Sequence, residues 1–211
     1  RTKEDQQRLI EIVQHDVRRL DRLISDISDA SRLDAELALS EAAPVDIAAL
    51  LGAVVAVAND AQIAGGINVD LDIRPASAEN DYLVYGHASR LGQVFDNLLS
   101  NARSFSPPDG TIEVTAFTFD DIVEIRVEDQ GPGIPEENLE RIFNRFYTDR
   151  PEGDAFGNNS GLGLSISKQI VESHGGKLWA ENRPRPDADG GARGKLPSGA
   201  RFVVQLPTVE L

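Results

Sequence analysis

The chain has 211 residues, 40% of them hydrophobic, which is enough to bury one good core and a smaller element but not two full domains. Its formal net charge of −14 argues against a nucleic-acid binder, whose phosphate contacts need a basic face. The absence of cysteine excludes a disulfide framework and a thiolate metal site and fits a reducing cytoplasm, and the longest apolar run, Ile47 to Ala58, is too short to span a bilayer.

From Glu4 to about Arg32 the spacing predicts a long helix, with Leu9, Val13, Val17, Leu20, Ile24 and Ile27 separated by threes and fours. A helix this apolar on one side needs partner helices and reads as part of a bundle. Leu33 to Val45 loses the pattern and meets Pro44, a linker. Asp46 is a plausible N-cap for a helix through Leu50, Val54 and Val57. Ile67, Val69, Leu71 and Ile73 alternate as a half-buried strand, and Tyr82 to Tyr85 reads as a short one.

The next helix carries Leu91, Val94, Leu98, Ala102 and Phe105 as its core stripe. Thr111 to Phe119 and Ile122 to Asp129 then read as an antiparallel pair joined through Asp120 and Asp121. A helix is expected over about Glu136 to Phe146, with Leu139, Ile142, Phe143 and Phe146 mostly in the core. Thr148 to Ser160 lacks an apolar period and has the composition of a lid. A helix follows to about His174, stopped by Gly175 and Gly176, and Lys177 to Glu181 and Ala200 to Leu206 are the closing strands. Arg183 to Ser198 reads as a surface loop.

Three stretches carry the chemistry. Asn97 and Asn101 lie four apart on one helical face beside the apolar stripe; either they bond neighbouring loops, or their oxygens meet hydrated Mg²⁺ and its phosphates. At Asp129-Gln130-Gly131-Pro132-Gly133-Ile134 a buried strand delivers one carboxylate to a rim, and the glycines let backbone pass close to a flat ligand. The bland reading is a turn after a strand. In Ser160-Gly161-Leu162-Gly163-Leu164, glycines open a helix whose free N–H groups attract anions. Together, and in this order, the three form a specific constellation.

That constellation resembles the GHKL ATPases, and within them the sensor histidine kinases of two-component systems. Asn97 to Ala102 is similar to their N box, Asp129 to Ile134 to their G1 box, Ile142 to Tyr147 to their F box, and Ser160 to Ile166 to their G2 box. The Asn101-Ala102-Arg103-Ser104-Phe105-Ser106 variant is similar to the ChvG/ExoS kinases of alphaproteobacteria. The implied fold is α/β, a two-layer sandwich of the Bergerat type: a mixed sheet covered on one face by helices and preceded by a helix of a dimeric bundle. Residues 1–40 would be the second helix and linker of a dimerisation hairpin, and 41–211 the catalytic ATP-binding domain.

The resemblance implies ATP between the asparagine helix and the lid. Asp129 would accept the adenine amino group while Gly131, Gly133 and Ile134 admit the ring; Asn101 would ligate Mg²⁺, with Asn97 near the phosphates. Gly161 and Gly163 would give the lid its hinge and its amide donors, Ser160, Leu162 and Leu164 would belong to the ATP-binding set, Tyr147 would flank the lid, and Arg145 would neutralise charge on the transferred γ-phosphoryl group. Where many such kinases have lysine, this chain has Ser104 beside Arg103; either Arg103 supplies the charge or phosphate affinity is lower.

The implied partners are ATP, a response regulator and a second copy through the hairpin, with no nucleic acid. The implied location is cytoplasmic, in a parent protein anchored in the inner membrane outside this chain. The family's acceptor motif, His-Glu-Leu-Arg-Thr-Pro-like, does not occur, so the chain is expected to begin after the first hairpin helix. His15, about 200° from Val13 around the helix, reads as solvent-facing; His87 and His174 read as helix-terminal groups. The rival readings are a serine kinase or ATPase of the same superfamily and a nucleotide-binding scaffold without catalysis.

Overall fold

The computed structural model describes Val13, Val17 and residues 42–60, 66–75, 82–147, 161–183 and 199–209. The elements run β1 (Ala43–Asp46), α1 (Ile47–Asp60), β2 (Asn68–Ile73), β3 (Leu83–Gly86), α2 (Ala88–Phe105), β4 (Thr111–Phe119), β5 (Ile122–Glu128), α3 (Gly163–Ser173), β6 (Lys177–Asn182) and β7 (Ala200–Pro207).

The strand order β2-β4-β5-β7-β6 defines a five-stranded sheet. β2 and β4 are parallel, connected across β3 and α2, and the remaining pairs are antiparallel, so the sheet is mixed. Strict alternation along β4 turns Ile112, Val114 and Ala116 inward, and the register places Val127 and Ile125 beside them. The core closes this face with Leu51 and Val55 of α1, Leu91, Phe95 and Leu98 of α2, and Ile166 and Ile170 of α3. The opposite face carries Glu113, Arg126 and Gln205, and Arg126 stacks 4.7 Å from the Phe117 ring centroid.

Asp46 caps α1 as expected, its Oδ1 accepting from the Ala49 amide at 3.0 Å. Three expectations are corrected. Ala43 to Val45, read as the end of a linker, form with Asp46 a strand paired antiparallel with β3; Pro44 is tolerated because this small sheet has only edge strands. Glu136 to Phe146 is not one helix but two 3₁₀ turns, Glu136–Asn138 and Arg141–Phe143. Asn138 ends the first turn and Arg141 begins the second, and Arg141 Nη1 donates to Asn138 Oδ1 at 3.4 Å. Phe146 leaves the core entirely, 61% exposed on a left-handed backbone with φ 65°. Phe105, placed on the core stripe by its spacing, is 43% exposed, because it is the last residue of α2 and the helix has run past the core.

Of the predicted first helix only Val13 and Val17 are described; both are helical and half-exposed, at 53% and 50%. His15, the 148–160 lid and most of the 183–198 loop lie outside the described residues. No helix among the described residues is long and apolar enough to cross a membrane.

Candidate functional site

β5 delivers Asp129 to the end of the sheet, where it is 3% exposed. Its Oδ1 accepts from the amides of Gly131 at 2.8 Å and Ala200 at 3.0 Å, while its own N–H donates to Ala200 O. Burial pushes the Asp129 carboxyl up from its ordinary value; the Ala200 and Gly131 amides and the Arg183 guanidinium pull it back down. Two glycines make this packing possible. A Cβ on Gly131 would lie 2.7 Å from Phe105 O, and one on Gly199 would overlap Asp129 O.

The loop after Asp129 turns at Gly133, with φ 77°. Asn182 then clamps Ile134 from both sides, its Oδ1 accepting from the Ile134 amide and its Nδ2 donating to the Ile134 carbonyl, each at 2.7 Å. Asn182, Arg183 and Gly199 are not among the site residues expected from the sequence. An asparagine closing a strand beside an arginine was a weak local signal, and only the fold shows what they meet.

On α2, Asn97 and Asn101 are half-buried. Asn97 Nδ2 donates to Gly163 O and to Ser167 Oγ, both at 3.3 Å, which joins the asparagine helix to the glycine-opened helix. The Asn101 amide has no hydrogen-bond partner among the described residues, so an oxygen is available one turn further along the same face. No group of three or more His, Asp or Glu side chains among the described residues could hold a metal. An ion here would therefore take most of its oxygens from phosphate and water, and a single amide oxygen fits that donor set.

Gly161 has φ 72°, and a Cβ there would stand 2.8 Å from Phe146 C and Tyr147 O. Its carbonyl accepts from the Phe146 amide at 2.9 Å, which holds Gly161 beside Phe146. Leu162 is buried and its carbonyl accepts from Ile166 N and Ser165 Oγ, which starts α3. Leu164 packs half-buried on the core. Gly163 is different, because its Cβ would meet Asn97 atoms at 3.6 Å, an ordinary contact. The Arg141 guanidinium lies 5.7 Å from the Tyr147 ring centroid, Arg145 is exposed, and Ser160 lies outside the described residues.

Arg103 does not stand with this group. Its Nη2 donates to Ala58 O at 2.8 Å in the last turn of α1, where helix carbonyls lack donors, and burial lowers its pKa. His87 and His174 form a tie between helices. His174 is buried; its Nδ1–H donates to Ile170 O at 2.7 Å and its Nε2 accepts from the His87 amide at 3.1 Å, which sets the tautomer. His87 stands at the N-cap position of α2, helix-terminal as expected, and makes no side-chain cap bond.

The sequence profile of the histidine kinase-, DNA gyrase B- and HSP90-like ATPases matches residues 86–210. Sensor protein ChvG of Agrobacterium fabrum is 50% identical over 214 residues, an alignment covering 100% of this chain and 35% of ChvG. The chain thus spans about a third of the length of that relative. Among solved structures, a mycobacterial sensor histidine kinase, MprB, superposes with a TM-score of 0.62 at 30% identity, covering 81% of this chain and 99% of that one. The histidine kinase ThkA, crystallised with the response regulator protein TrrA, gives a TM-score of 0.69 at 26% identity, over 99% of this chain and 53% of ThkA.

Proposed function

This chain belongs to the histidine kinase-, DNA gyrase B- and HSP90-like ATPases, and from that membership we propose that it is the ATP-binding catalytic region of a two-component sensor histidine kinase. It transfers the γ-phosphoryl group of ATP to a histidine, for relay to an aspartate of a response regulator. The observation that carries this reading is Asp129, a buried carboxylate with one oxygen held by two backbone amides beside a loop that only glycines could form. An acceptor so placed suits the exocyclic amine of adenine.

In this reading Asn101 ligates Mg²⁺, and Asn97 sets the distance between α2 and the amides at Leu162, Gly163 and Leu164 that face the phosphates. Mg²⁺, when bound, would neutralise phosphate charge. Gly161 lets the chain return beside Phe146 and Tyr147, Ser160 and Tyr147 would flank the nucleotide, and the exposed Arg145 would neutralise charge on the transferred γ-phosphoryl group. Arg103 is left out of the phosphate set because its guanidinium caps α1.

The acceptor histidine is none of the three in this chain. His174 has both ring nitrogens engaged, His87 is packed edge-on against it at 5.6 Å, and His15 lacks the acceptor motif. Residues 1–40 supply the second hairpin helix, whose exposed Val13 and Val17 suit a homodimeric bundle, and 41–211 form the catalytic domain. The parent is an inner-membrane protein with this region on its cytoplasmic side.

The test is incubation with radiolabelled Mg-ATP and a separately made helix bearing the histidine motif. Acid-labile label on that helix supports the reading. Acid-stable label on serine supports a serine kinase, and binding without transfer supports a scaffold.

A further inference from the structure

Arg183 follows β6 and reads in sequence as the first residue of a loop, yet its guanidinium addresses three acceptors from three places. Nη1 donates to Asp129 O at 3.2 Å, Nη2 to Glu113 Oε2 at 3.1 Å, and Nε lies 3.5 Å from Glu128 Oε1. Its own amide donates to Gly199 O at 3.0 Å, the residue that passes against Asp129 with no room for a side chain. A planar fork can serve several acceptors at once, whereas an ammonium group on a flexible stem cannot hold the same geometry.

We infer that Arg183 is a positioning residue for base recognition: it fixes the Asp129 peptide at the end of β5 and places a cation beside the buried carboxylate. The inference rests on the reading of Asp129 as the adenine acceptor. The charges around Asp129 assign this work to Arg183. Glu113 comes from β4, Glu128 from its own strand, and Arg201 from β7. Arg201 and Arg183 both pair with Glu128 and each takes a second carboxylate, Glu181 and Glu113 respectively, but of the two only Arg183 also bonds Asp129, through its peptide oxygen. Arg183 is the cation that lowers Asp129 against the upward push of burial. An ionised acceptor makes the stronger, charge-assisted bond to an amine, so the preference for adenine is tied to the charge of residue 183.

The experiment measures the ratio of affinities for ATP and for purine riboside triphosphate, which lacks the amine, between pH 5 and 8. Phosphate titration affects both ligands alike and cancels in the ratio. The parent ratio should fall on acidification with one midpoint. R183Q should move that midpoint to higher pH, with a loss of discrimination at intermediate pH. R183K, keeping the cation without the fork, should keep the midpoint and lower the alkaline plateau. D129N should remove the pH dependence altogether. If D129N leaves the ratio and its pH profile untouched, the assignment of Asp129 itself fails. If D129N behaves as expected while R183Q retains the parent midpoint and plateau, the role of Arg183 fails. Should R183Q not fold, the R183K plateau decides: a parental value overturns the inference and a lowered one supports it.

Discussion

Gly161 and Gly163 look equivalent in sequence, but the structure gives them different tasks, and alanine at each separates folding from binding. At Gly161, φ 72° is a left-handed backbone that costs an L-residue about 1–2 kcal/mol. The added Cβ would also sit 2.8 Å from Phe146 C and Tyr147 O, backbone atoms held by the Phe146 amide bond to Gly161 O. Relief requires lengthening or breaking that bond, about 1 kcal/mol more. Gly161→Ala should therefore destabilise by roughly 2–3 kcal/mol, a fall of about 4–12 °C in Tm for a chain of this size. At Gly163 the new Cβ meets only ordinary contacts at 3.6 Å in the first turn of α3, so Tm should stay within about 2 °C of the parent or rise slightly. Its effect belongs in the ligand: a methyl group placed among the phosphate-facing amides should abolish most of the rise in Tm that Mg-ATP gives the parent. Thermal unfolding with and without nucleotide measures both. A parental Tm for Gly161→Ala would refute the steric reasoning, and a parental nucleotide shift for Gly163→Ala would remove Gly163 from the phosphate site.

Other outcomes follow from the same geometry. Asp129→Asn turns an acceptor oxygen into a donor and should weaken ATP binding by about 1–3 kcal/mol in calorimetry; unchanged affinity would sink the adenine assignment. Asn101→Ala should lose the Mg²⁺-dependent tightening of nucleotide binding, and titrations that still differ with and without Mg²⁺ as in the parent would show that Asn101 is not a ligand. His174 is buried neutral, with its pKa lowered by burial, so the unfolded chain binds the proton more readily. Its contribution is full above the unfolded value of about 6.5 and is lost as pH falls through the lower folded value. Urea unfolding midpoints should drop on acidification below about pH 6.5, less steeply in His174→Gln, and parallel profiles for the two proteins would count against the tie to His87.

Much of the architecture was legible in the sequence because its code is local. A period of two along Thr111 to Phe119 states which side chains share a face, and the Leu91, Val94, Leu98 spacing does the same for a helix, whatever the rest of the chain does. The Asp129 and Gly161 loops were legible for a similar reason, since a glycine next to an acid or at a helix start restricts what the backbone there is for. Where local codes compete, the reading failed. The spacing of Leu139, Ile142 and Phe143 suits both an α-helix and 3₁₀ turns, and pairing with β3 overrode the linker-like composition of Ala43 to Val45.

Tertiary structure alone decided the partners of the polar groups. Asp129 and Arg183 are 54 residues apart, Ile134 and Asn182 are 48, Arg103 and Ala58 are 45, and His87 and His174 are 87. A guanidinium or an amide has many chemically equivalent acceptors along a chain, and no periodicity distinguishes among them. Burial of the shared apolar face sets the strand order, and the strand order then leaves each polar side chain within reach of one or two acceptors.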